Sequence, residues 1–114
     1  ARGWQFQLAI EVLQQLHVAH HSAHKGVSAS QLAERLQVDV LQLEPVLETL
    51  LALDWAGHLD EAKDNTEARY LLMADPDSTR LEPLLERLLL HKSTSLSRFW
   101  SNGAWPLLRL RDAL

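Results

Sequence analysis

A mainly α domain, a winged helix-turn-helix with a small two-stranded β wing and an extra C-terminal helix, is the fold class that this sequence predicts. Three observations predict it. Between Ser28 and Leu53 a short helical pattern, a break of about three residues and a longer helical pattern follow one another. Two short strand-like stretches joined by a polar run come directly after them. The chain has 114 residues, 46% hydrophobic and 23% charged, with four glycines and four prolines, which suits one ordered domain with a modest core.

The first helix is read from Phe6 to about His24. Leu8, Val12, Leu16, Ala19 and Ala23 recur at helical spacing, and Ala9 and Leu13 widen the stripe. "HKGVS" ends it, with Gly26 expected as a C-cap. Ser28 stands three residues before Gln31, the spacing of a capping box, and "ASQLAERL" then buries Leu32 and Leu36. Asp39 is placed to cap "VLQLEPVLETLLAL". Pro45 lacks an N–H, so the regular part of that helix is expected to begin near Glu44, after a looser turn. "WAGHLD" and "ARYLLMAD" supply the two wing strands around "EAKDNTE". "DPDSTRLEPLLERLLLHK" is predicted as a further helix, with Asp77 or Ser78 near its cap. The winged-helix domain is drawn over residues 1–92, and an amphipathic Trp-containing tail over 93–114, helical or packed on the domain. "LEPVLETLLAL" and "LEPLLERLLL" look alike, but their flanks do not match, and leucine-rich amphipathic helices converge easily.

No apolar run approaches the roughly 18–20 residues of a membrane span. The absence of cysteine removes disulfides and thiolate metal sites. The chain opens "ARGW", with neither methionine nor a signal-peptide pattern, which suits a segment of something longer. Net charge is −4, unevenly spread: residues 28–79 hold eleven acids against three bases, and residues 80–114 six bases against three acids.

"FQLAIEVLQQLHVAH", "VSASQLAERLQVDVLQLEPVLETLLALDWAG" and "RYLLMADPDSTRLEPLLERLL" resemble the C-terminal cytosolic domain of the YihY/BrkB family, bacterial inner-membrane proteins historically labelled ribonuclease BN. The resemblance covers residues 6–90 and rests on a shared "LA..L....L.PVL..L...G" core with a following "DP". It implies a bundle of membrane helices ahead of a winged-helix segment on the cytoplasmic side of the inner membrane. It carries no catalytic residue onto any position here.

The charge pattern bears on function directly. In a helix-turn-helix protein the second helix reads the major groove with Arg, Lys, Asn or Gln. Here that helix offers Gln42, Glu44, Glu48 and Thr49 and no cation, and the wing from Asp60 to Glu67 holds four acids and one lysine. Duplex DNA should be repelled at both contact elements. Glu44 and Glu48, with Trp100 and Trp105 of the tail, are therefore taken as interaction residues for a protein partner or a second copy of the chain. Arg98, Arg109 and Arg111 make the tail basic, so it could also lie in a headgroup interface.

Four of the six histidines fall in "HVAHHSAH". On a helix His17, His20, His21 and His24 span about 100° of surface, and the pairs His17/His21 and His20/His24 stand at the i,i+4 spacing of metal ligands. Two nitrogens alone bind weakly. A boundary strip, with His20 partly packed and His21 towards solvent, explains the run more simply. Its protonation below about pH 6 should strain the helix. "HLDEAKD" gathers His58, Asp60, Glu61 and Asp64, but a solvated turn accounts for it, and no phosphate loop or triad motif is present. The expected function is a non-catalytic interaction domain of a membrane protein, with no cofactor. A DNA-binding regulator and a tRNA-processing ribonuclease are the alternatives.

Overall fold

The computed structural model describes residues 2–21, 26–59, 68–88 and 109–114. In chain order these form α1 (Arg2–His20), β1 (Val27–Ser28), α2 (Ala29–Leu36), α3 (Val40–Ala52), β2 (Ala56–Leu59), β3 (Arg69–Leu72), α4 (Glu82–Leu88) and α5 (Leu110–Ala113). Helices and sheet follow one another as a winged helix-turn-helix requires.

The stripe of α1 is the centre of the core. Leu8, Ala9, Val12, Leu13, Leu16 and Ala19 are all buried, and they meet α2, α3, α4, β1 and β3. The helix begins at Arg2, earlier than Phe6, and stops at His20, short of His24. Gly26 does not cap it. It adopts φ +90° just before β1, and a Cβ there would lie 2.9 Å from the Cβ of Arg69. Only glycine lets the two strands approach at that point.

The start of α2 and the turn from α2 into α3 are built from local hydrogen bonds. The Ser28 hydroxyl accepts the Gln31 N–H at 3.2 Å, and the Gln31 carboxamide accepts the Ser28 N–H at 3.0 Å. Asp39 and Gln42 repeat the device on α3: Asp39 accepts the Leu41 N–H at 2.9 Å, and its own N–H reaches Gln42 at 3.0 Å. Gln37, at φ 57°, ends α2 in the left-handed region, and the Val38 N–H bonds the Ala33 carbonyl at 3.0 Å. The Asp39 box starts α3 at Val40, so Pro45 lies inside the helix and not before it. The proline leaves the Leu41 carbonyl without its helical donor, and because Leu41 and Pro45 are exposed, solvent can supply one.

The sheet has three strands, where the sequence predicted two. Its order is β1-β3-β2, antiparallel throughout, with Val27 opposite Tyr70 and His58 opposite Tyr70 on the other side. β1 is two residues long and merges into the α2 cap, so it has no alternation to read. Trp55 is buried, and its carbonyl accepts the N–H groups of Met73 at 2.8 Å and Ala74 at 3.2 Å. Trp4, by contrast, is 41% exposed.

After β3 the chain turns at 75–79 and does not enter a helix at once. The Asp75 carboxylate accepts the Asp77 N–H at 3.0 Å and its carbonyl the Thr79 N–H at 2.9 Å, which closes a separate turn. Asp77 and Ser78 therefore cap nothing, and α4 begins at Glu82, with Pro83 in its first turn, where a missing N–H is harmless. α5 returns to this turn. Leu110 is completely buried; its N–H donates to the Thr79 carbonyl at 2.7 Å, and that of Arg111 to the Pro76 carbonyl at 3.0 Å. The boundary drawn between 92 and 93, and most of the tail, lie outside the described residues.

Magnitudes decide what holds α5. The Arg111–Asp77 ion pair is more than half exposed on both sides, and such pairs contribute about 0–1 kcal/mol, whereas burying a leucine contributes about 1.5–3 kcal/mol. In urea denaturation Leu110→Ala should cost about 2–4 kcal/mol and Asp77→Asn under about 1 kcal/mol. Ser28→Ala and Asp39→Ala should each cost about 1 kcal/mol. Equal losses at Leu110 and Asp77 would contradict this division.

Candidate functional site

Two surfaces carry the chemistry that the sequence singled out. The first is the outer face of α3. Its buried residues Leu43, Val46, Leu47 and Leu50 face the core, which turns Gln42, Glu44 and Glu48 to solvent. Thr49 is only half-exposed, and its hydroxyl donates to the Pro45 carbonyl at 3.0 Å. Val40 and Leu41 remain exposed at the start of the helix, Leu41 to 70%. Beside them runs a groove of about 360 Å³ whose walls include Val40, Glu44, Glu48, Leu51 and Tyr70. The structure thus brings Glu44 and Glu48 together along one apolar groove, on the helix that faces DNA in a helix-turn-helix protein. The Tyr70 ring lies 4.9 Å from that of His58. Asp60, Glu61 and Asp64, the rest of the polar loop, lie outside the described residues, as do Trp100 and Trp105.

The second surface is the histidine end of α1. The rings of His17 and His21 meet edge to face at 5.0 Å, and those of His20 and His21 at 5.4 Å. The packing differs from the expected one. His20 is exposed, while His17 is the partly buried ring, because the stripe continues through Leu16 and Ala19 and carries residue 17 towards the returning C-terminal segment. His21 occupies a turn beyond the helix end, and His24 lies outside the described residues. Among the described residues no group of three or more His, Cys, Asp or Glu is placed to hold a metal ion.

What the sequence did not show is the company His17 keeps. With His20 and His21 it lines a cleft of about 340 Å³ closed by Met73, Asp75 and Arg111. Its Nδ1 is buried without a hydrogen-bond partner among the described residues. The His17 pKa is lowered, chiefly by this burial, then by His21, Arg111 and His20, with Asp77 opposing. Arg111 lies 94 positions along the chain from His17, and no local pattern announces such a meeting.

No family model matches the chain. It is 55% identical over 116 residues to a UPF0761 membrane protein of Verminephrobacter eiseniae, covering 98% of this chain and 28% of that protein. Counterparts of the same description in Albidiferax ferrireducens and Delftia acidovorans are 53% and 45% identical, covering 27% and 28% of their lengths. The chain is similar to one stretch of UPF0761 membrane proteins. It spans about a quarter of the length of the curated relatives it matches, and no helix among the described residues is long and apolar enough to cross a membrane. The expected membrane-protein context agrees with these relatives.

Solved structures support the fold. Staphylococcus aureus CymR superposes with a TM-score of 0.66 at 14% identity, over 94% of this chain and 92% of that one. CymR of B. subtilis, a global cysteine regulator, gives 0.64 at 15% identity, and T. potens IscR 0.60 at 16%. These likenesses establish a winged helix-turn-helix and nothing about a ligand.

The partly buried His17 predicts a pH dependence. A lowered folded-state pKa means that the unfolded chain binds the proton first, near the ordinary value of 6.5. Stability from this group is therefore complete well above that value and is lost as the pH falls through it, levelling off below the lowered folded-state pKa. The melting temperature should drop as the pH falls through about 6.5, and His17→Gln should flatten that drop. An identical profile in the variant would refute the assignment.

Proposed function

We propose that this chain is a non-catalytic winged-helix interaction domain, on the cytoplasmic side of a bacterial inner-membrane protein of the YihY/BrkB type, which does not bind DNA by itself. One observation carries the reading. The helix that a winged helix-turn-helix would lay into DNA turns Gln42, Glu44 and Glu48 outward and contains no Lys or Arg.

Phosphate contacts by cations dominate the affinity of proteins for duplex DNA. A helix facing the backbone with two carboxylates reverses that term. The same face suits a protein partner, since its groove is lined both by apolar side chains, Val40, Leu47 and Leu51, and by the carboxylates Glu44 and Glu48. The similarity to a quarter of UPF0761 membrane proteins supplies the context, because a domain joined to membrane spans is held close to its own chain and to neighbours at the membrane. The solved regulators share the fold at 14–16% identity, which leaves the surface chemistry free to differ. The ribonuclease alternative finds no residues in this chain to carry it.

The test is fluorescence anisotropy of a labelled random duplex titrated at low salt, the condition most favourable to electrostatic binding. The native chain should give no saturable binding at tens of micromolar, and the double variant Glu44→Lys, Glu48→Lys should gain weak, salt-sensitive binding. Saturable binding by the native chain that falls steeply with salt would move the assignment to a regulator.

A further inference from the structure

The cations of the acidic middle segment are not scattered. Residues 28–79 contain three bases, and the two that are described, Arg35 and Arg69, line the same cleft. Arg35 stands in the last turn of α2 and Arg69 opens β3, so the two come from different elements. Despite eleven acids in that segment, neither forms an ion pair with a described residue, and no Asp or Glu is among the described residues lining the cleft.

The rest of the cleft is consistent with one kind of ligand. Its volume is about 540 Å³, within the range of small-molecule sites. Gln31 lines it with its carboxamide oxygen already accepting the Ser28 N–H, which leaves the amide NH₂ as a donor. Val18 and Val27 add apolar wall, and Val18 is 67% exposed. Gly26 also lies on the wall, and its lack of a Cβ is what allows the backbone to pass so close to Arg69.

We propose that this cleft between α1, α2 and the start of β3 binds a phosphate-bearing small anion, held by the guanidinium groups of Arg35 and Arg69. Two planar forks match the two charges and several oxygens of a phosphate monoester, and the apolar wall takes the organic substituent. A soluble phosphate monoester presents both charges, and the phosphodiester headgroup of an anionic lipid presents one of them with two free oxygens. The site lies away from the acidic face of α3, and the proposal does not rest on the interaction reading.

The experiment titrates the intact 114-residue chain with glycerol 3-phosphate, followed by amide NMR shifts, and in parallel sediments it with vesicles of phosphatidylglycerol or of phosphatidylcholine. Saturable shifts at Val27, Gln31, Arg35 and Arg69 are expected, weakened about tenfold or more by Arg35→Gln and by Arg69→Gln. Arg35→Lys, which keeps the charge and loses the fork, should fall between. Arg35 is exposed, so its variants carry the test if Arg69→Gln disturbs the sheet. Arginine-dependent binding to the soluble ester alone assigns a free ligand, and arginine-dependent sedimentation with phosphatidylglycerol assigns a headgroup. No binding in either arm, or binding that the arginine variants leave unchanged, overturns the proposal.

Discussion

Burial of the α1 stripe is the constraint on which the remaining structure depends. A domain of this size has little core to spare, and here one helix supplies six of its buried residues and touches every other helix, the short α5 included, where the Gln14 side-chain NH₂ donates to the Ala113 carbonyl at 3.4 Å. α2 is short, α3 carries a proline, and the sheet is too small to stand alone, so these elements depend on packing against one another and on the stripe of Leu8, Val12, Leu13 and Leu16. The same stripe decides where the histidines go. Continued past Leu16 and Ala19, it places His17 against the C-terminal return and leaves His20 and His21 outside.

A shared fold and a reversed surface are compatible because they draw on different residues. Leu32, Leu43, Val46 and Leu50 fix the angle between α2 and α3 and are all buried. The outward positions of α3 are unconstrained by packing, and there the chain carries carboxylates. Shape likeness to regulators thus measures the buried set, while partner choice resides in the exposed set. The two described arginines of the acidic segment gather at one cleft instead of spreading over the face that would meet DNA.

Features set by neighbours in sequence were legible, and those set by distant contacts were not. The boxes Ser28/Gln31 and Asp39/Gln42 are complete within four residues, and the α1 stripe within a few turns, so both were readable. Pro45 was misread because its local rule predicts a helix start, whereas Asp39 had already nucleated the helix and exposure spared the orphaned carbonyl. The start of α4 was misplaced because Asp75 closes its own turn. β1 is too short to show a period. The meeting of His17 with Arg111, and of Arg35 with Arg69, depends on the return of α5 and the pairing of β3, which no window along the chain contains. Of the candidate site residues, Glu44 and Glu48 do share a groove, while His20 and His17 exchange the roles expected of them.

The central claim is that the outer face of α3 touches protein. The most direct measurement places a photo-crosslinking amino acid at Leu41, 70% exposed on that helix, in the whole membrane protein within living cells. Irradiation should yield a discrete protein adduct that disappears when Glu44 and Glu48 are changed to lysine, with no nucleic acid attached. Adducts to nucleic acid, or a protein adduct indifferent to both glutamates, would contradict the account.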